Sequence, residues 1–178
     1  MSKLTVMYLK DTGHVLAALT LADPPGGDEP VGVLVGTGLP VSFIGGLAAG
    51  VTFLARDLAS VTVDDQPEVV VTPQDYQAVP DPQGQAPPQV KNVGPTGQVI
   101  LAITASGGAT VTVANPLVPA IVVLQKVTPP SSPPTILPPV AVGPGATVVF
   151  HTGFAAGDEW NMYAFVQGLP PIAKQILV

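Results

Sequence analysis

The chain has 178 residues, of which 47% are apolar and only 10% charged, with a net charge of −6 and no cysteine. That length suits one large or two small domains, and the aliphatic content is high enough to build a core, which argues against disorder. Without cysteine, disulfides and thiolate chemistry are excluded, and without a basic cluster nucleic acid is not an expected partner.

A soluble domain ordinarily carries about 25% charged residues. A chain with so few has three outlets: burial against other copies, burial in a membrane, or a surface of Ser, Thr, Gln and Gly. The charge is also uneven. Residues 1–90 hold ten acids and three bases, a net −7, whereas residues 91–178 hold two acids and three bases, a net +1. The N-terminus, MSKLTVMYLKDTGH, lacks a secretory pattern because Lys10 and Asp11 interrupt any apolar core. The expectation is cytoplasmic synthesis without classical export, which also suits a component of a particle released by lysis or injection.

Leu4 to Leu9 and His14 to Leu21 read as two strands joined by Lys10-Asp11-Thr12-Gly13, a hairpin with Asp opening the turn and Gly closing it. Ala22 to Pro30 is a loop. From Val31 to Ala55 no charge appears over 25 residues, long enough to span a bilayer. Six glycines and Pro40 interrupt it, so short strands in VGVLV, PVSFI and VTFLA are expected instead of a membrane helix. Ala59 to Val63 and Glu68 to Thr72 read as strands separated by a turn at Asp64-Asp65-Gln66-Pro67, and Asp75 to Val79 closes an acidic first module at about residue 79.

Pro80 to Pro95 then holds five prolines and two glycines in sixteen residues. Proline fixes φ and donates nothing to a ladder, so residues 80–96 read as an extended connector.

Beyond it, Gln98 to Ala105 and Thr110 to Ala114 are strands about a Ser106-Gly107-Gly108-Ala109 turn, and Ile121 to Val127 is another. Pro129 to Pro139 contains six prolines and reads as a loop. Val140 to Val142 and Thr147 to Thr152 are expected to form a hairpin around Gly143-Pro144-Gly145. Trp160 to Gln167 reads as a strand, and Ile172 to Val178 is an apolar terminal segment suited to pairing into a sheet or docking on another subunit. The expected fold is all-β: two small sandwich- or barrel-like modules, residues 1–79 and 97–178, joined by the proline-rich connector.

Catalysis needs titratable or nucleophilic groups gathered together, and few are present. His14 and His151 are the only histidines; a triad of His151, Asp158 and Ser106 has no support in spacing, and His14 is expected at a hairpin edge and His151 at the end of a strand as a surface side chain. Asp64-Asp65 and Asp23 with Asp28-Glu29 offer oxygen ligands for a hard cation but lack a calcium-loop spacing, and they read as turn residues. Asp158-Glu159 cannot flank a scissile bond from opposite sides, so it too reads as a turn. No glycine pattern matches a phosphate loop, and no cofactor or metal is expected. Trp160, Tyr163 and Phe165, with Phe150 and Phe154, form the one aromatic concentration, either a stacking platform or interface hot spot or the core of the second module.

The expected function is therefore a non-enzymatic structural subunit whose partners are copies of itself or other structural subunits. Trp160, Tyr163, Phe165, Ile172, Ile176 and Val178 are its candidate interaction residues. A glycan- or protein-binding module built on the aromatic cluster is the alternative.

Overall fold

The computed structural model describes residues 3–21, 31–42, 51–64, 66–94, 98–114, 117–128, 134–145, 147–150 and 153–178. Among them the chain is mostly β, in several small sheets with only two short α-helices and no closed barrel. They fall into two compact units, one within residues 3–94 and one within residues 98–178.

The first unit is organised on β1 (Lys3–Leu9), which pairs antiparallel with β2 (Val15–Leu21) on one side and β5 (Leu58–Asp64) on the other. A strand with neighbours on both sides and cover on both faces reads as a continuous apolar run. That is why Leu4, Val6, Met7 and Leu9 are all buried. Leu4 and Val6 share a core with Val15, Val61, Val69 and Val90. Two further antiparallel pairs complete the unit: β3 (Gly38–Val41) with β4 (Val51–Leu54), and β6 (Tyr76–Val79) with β7 (Gln89–Asn92).

Three sequence expectations are corrected in this unit. Val31–Val35 is a one-turn helix, α1, in place of a strand; Gly36, at φ +64°, ends it and donates its N–H to the Gly32 carbonyl. Pro67–Val71 is a second short helix, α2, in place of the strand expected at Glu68 to Thr72. Pro67 supplies the pre-set φ of a first helical position and Glu68 lies in the first turn, which are helix-start signals that outweigh the β-branched Val run. Val69 alone of that helix is buried, and Val70 and Val71 are exposed. The third correction concerns residues 80–96. The stretch opens on a turn held by Asp81, but its proline-free portion, Gln89–Asn92, is β7, and Val90 enters the core. Proline withholds only its own N–H from a ladder and leaves the residues beyond it able to pair.

In the second unit, β10 (Val118–Thr128) and β14 (Glu159–Val166) form the middle of a five-stranded sheet, with β11 (Thr135–Ile136) and β12 (Val140–Val142) on β10 and β15 (Ile172–Leu177) on β14. A three-stranded sheet runs β13 (Thr147–Phe150), β9 (Gly108–Val113), β8 (Val99–Thr104). Alternate residues of both sheets meet in one core. Leu101, Ile103, Val111 and Val113 from the smaller sheet pack with Val122, Leu124, Met162, Ala164 and Val166 from the larger.

Here the expected hairpin of residues 140–142 with 147–152 is not formed: β12 pairs with β10 and β13 with β9, so the Gly-Pro-Gly corner carries the chain from one sheet to the other. Part of the proline-rich loop is also structured, because Thr135–Ile136 pairs with β10 and Leu137 donates its N–H to the Val122 carbonyl. The 8-residue strand at Trp160 and the terminal strand form as expected, paired with each other. Among the described residues no helix is long and apolar enough to cross a membrane.

Candidate functional site

The pleat divides the aromatic concentration. Successive side chains of a strand point to opposite faces. In β14 the even positions, Trp160, Met162, Ala164 and Val166, face the shared core, and the odd positions, Tyr163 and Phe165, lie on the other side. Trp160 is half-buried and meets Phe154 edge to face, with ring centroids 4.9 Å apart and planes at 83°. Tyr163 and Phe165 are fully buried, and burial pushes the Tyr163 hydroxyl pKa up. Trp160 is thus separated from the other two rings by the sheet itself. Ile172, Ile176 and Val178 are half-buried on the same face as Trp160, and Ile176 is its cross-strand partner.

The turn before β14 is held electrostatically. Lys126 Nζ lies 2.7 Å from Asp158 Oδ1, with both side chains largely sheltered, and Ala155 N–H donates to Asp158 Oδ2 at 3.2 Å. The hydrogen-bonded Lys126 ammonium holds the Asp158 carboxyl below the usual carboxylate range, helped by the Ala155 N–H and opposed by burial. Asp158 therefore acts as the turn's anchor. Glu159, its neighbour, accepts a hydrogen bond from the Gln175 side chain.

That last bond belongs to a polar row absent from the sequence reading. Gln125, Asn161 and Gln175 are register partners across β10, β14 and β15, so three amide side chains line up across the sheet. Gln125 Oε1 and Asn161 Oδ1 are buried without a hydrogen-bond donor. Rows of this kind are invisible in sequence, because they depend on register between strands that are 36 and 14 residues apart.

The row ends at β15, the edge of its sheet. Val178 donates its N–H to the Asp158 carbonyl, and its own carbonyl accepts from Gly157 N–H. Backbone direction alternates along a strand, so Ile172, Lys174 and Ile176 also turn their backbone groups to β14. Ala173, Gln175 and Leu177 turn theirs away, and all three are exposed. Among the described residues β15 pairs with β14 alone. The nearby edge of β8 is treated differently: Lys174 Nζ reaches the Leu101 carbonyl at 3.2 Å and caps one of its outward acceptors.

His14, expected at a hairpin edge, is fully buried. Its Nδ1 lies 3.0 Å from Thr12 Oγ1 and its Nε2 2.9 Å from Gln77 Nε2. Ser106 lies in an exposed turn, and His151 falls outside the described residues. Asp64 lines an open cleft of about 500 Å³ in the first unit together with Lys3, Gln66, Pro87, Pro88 and Lys91. Two lysines beside the single carboxylate do not make a cation site. Asp65, Asp23, Asp28 and Glu29 lie outside the described residues, and among those described no three His, Asp or Glu side chains gather as metal ligands.

Comparison of the chain with protein-family models, with curated proteins and with solved structures finds no match in any of the three.

Proposed function

We propose that the chain is a non-enzymatic structural subunit that packs into a larger assembly, such as a particle shell, a tail or injection apparatus, a decoration layer or a fibre. On this reading the second unit is a small β-sandwich, joined to the first through the end of the proline-rich stretch that follows β7. The observation that carries the proposal is the exposed outer edge of β15. Its backbone groups at Ala173, Gln175 and Leu177 point away from the sheet, and Leu177 is 73% exposed. An open edge offers backbone hydrogen bonds to a further strand without specialised side chains. The low charge of the chain adds support, since few like charges oppose association.

Binding of glycan or protein through the aromatic residues has weaker support. A stacking platform needs rings on one accessible face, and Tyr163 and Phe165 are buried on the side opposite Trp160. Light scattering over a concentration series tests the main proposal. A mass above the 18.0 kDa of one chain, rising with concentration, is the expected result. A monomer at every concentration would move the weight to a subunit that needs a different partner.

A further inference from the structure

We infer that the partner of the β15 edge is β15 of a second copy, paired antiparallel about a two-fold axis through Gln175, so that two five-stranded sheets become one. This rests on the assembly reading above and specifies its first contact.

Symmetry restricts the pairing to a few registers. A two-fold between identical antiparallel strands stands perpendicular to the sheet and pairs residue i with residue c − i, where c is constant. Both copies must keep their apolar faces on the same side, so paired residues share parity and c is even. The two central candidates place either Lys174 or Gln175 on the axis.

Three observations select Gln175. First, the outward backbone groups belong to Ala173, Gln175 and Leu177, a set symmetric about Gln175. With Gln175 on the axis, Ala173 opposes Leu177 and every outward group finds a partner, giving about six backbone hydrogen bonds. With Lys174 on the axis Leu177 falls opposite Pro171 and only about four form. Second, the Lys174 axis places two ammonium groups directly opposite, which is destabilising, whereas the Gln175 axis sets Lys174 against Ile176. Third, the amide row Gln125–Asn161–Gln175 runs to the edge, and only the Gln175 axis continues it straight into the same row of the second copy.

The adjacent edge strand is not an equivalent choice. Lys174 already caps the Leu101 carbonyl on β8, whereas no described backbone group occupies the outer edge of β15.

Because the chain has no cysteine, single-cysteine variants report the register directly. With a short bis-maleimide, Gln175→Cys crosslinks to itself, and Ala173→Cys crosslinks to Leu177→Cys in a mixture. Ala173→Cys alone does not, because its two copies lie four residues, about 13 Å, apart along the strands. In parallel, Gln175→Lys places like charges on the axis and weakens the dimer at least tenfold at low salt, with partial recovery in about 1 M salt. Its circular dichroism stays that of the parent, since the side chain is exposed. Equal self-crosslinking at residues 173 and 175 overturns the register. A larger species in solution without crosslinking at residue 175 overturns this pairing and leaves the assembly reading standing. A chain that is monomeric throughout overturns this pairing and reduces the assembly reading to a subunit that needs a different partner.

Discussion

The Gln77 side-chain nitrogen donates to His14 Nε2 at 2.9 Å, and the same two residues face each other in an isolated β-bridge. An imidazole nitrogen that accepts from an amide carries no proton, so the Nδ1–H donates to Thr12 Oγ1 at 3.0 Å. His14 is thus the neutral Nδ1–H tautomer. All three side chains are buried, so the network ties the first hairpin to β6 away from water.

Removing its centre takes a hydrogen bond from each of two buried polar side chains and leaves a cavity besides. His14→Ala is therefore expected to lower stability by about 2–4 kcal/mol, the sum of an unmet donor or acceptor and lost packing. The urea midpoint followed by far-UV circular dichroism measures this. A change below about 0.5 kcal/mol would mean that water replaces the ring without penalty.

Gly13, beside that network, is the second sensitive point. It adopts φ +78°, its carbonyl accepts from Ala78 N–H at 2.7 Å, and a Cβ built on it would come within 2.5 Å of the Ala78 carbonyl oxygen. Gly13→Ala therefore combines an unfavourable backbone region with a backbone clash, and a loss of about 2–4 kcal/mol is expected. Gly84→Ala is the control. It shares the positive φ (+65°) but meets nothing within 4 Å, so its loss is limited to about 1–2 kcal/mol. Thermal melts of the two variants separate the contributions of strain and contact.

Both sites show how far the sequence carries. The hairpin about Gly13 is readable because Asp, Gly and flanking alternation act locally. The burial of His14 is not, because its partner Gln77 is 63 residues away. The same division runs through the chain. Strand existence follows from β-branched runs, and it holds for the segments around Val6, Val61, Leu101, Val111, Val122 and Met162. It fails where a short Val run follows Pro67, since a helix-start signal there competes with strand propensity and packing of Val69 decides. It fails again for residues 140–150, where turn chemistry predicts a hairpin but the two strands join different sheets. Of the candidate site, the apolar, strand-like terminus was visible in the residues themselves. Its outward backbone groups and the amide row were not, because both follow from register.

The ion pair of Lys126 with Asp158 predicts an acid-sensitive step. The folded-state pKa of Asp158 is lowered by Lys126, so the pair's contribution is fully present above the unfolded carboxyl value of about 3.9. It is lost as pH falls through the folded value. Asp158→Asn should therefore flatten that part of the stability profile below about pH 4, measured as urea midpoint against pH. Lys126→Met is expected to raise the Asp158 pKa toward the ordinary range in a carboxyl NMR titration. An unchanged titration would show that the Lys126 ammonium is not what holds the carboxyl low.

Trp160 separates a core role from a recognition role. It packs edge to face on Phe154 and opposite Ile176 at the margin of the second unit's core, so its ring contributes area and an aromatic pair. Truncating a fully buried Trp costs about 3–5 kcal/mol, and half-burial brings the expectation for Trp160→Ala to about 2–4 kcal/mol. Trp160→Phe keeps most of the contact with Phe154 and is expected to cost about 1 kcal/mol. Stability of both variants is read by circular dichroism, since Trp160 is the only tryptophan and its fluorescence disappears with it. Should Trp160→Ala unfold at the parent's denaturant concentration, the ring is dispensable to the core. Its exposed edge would then be the place to search for a ligand.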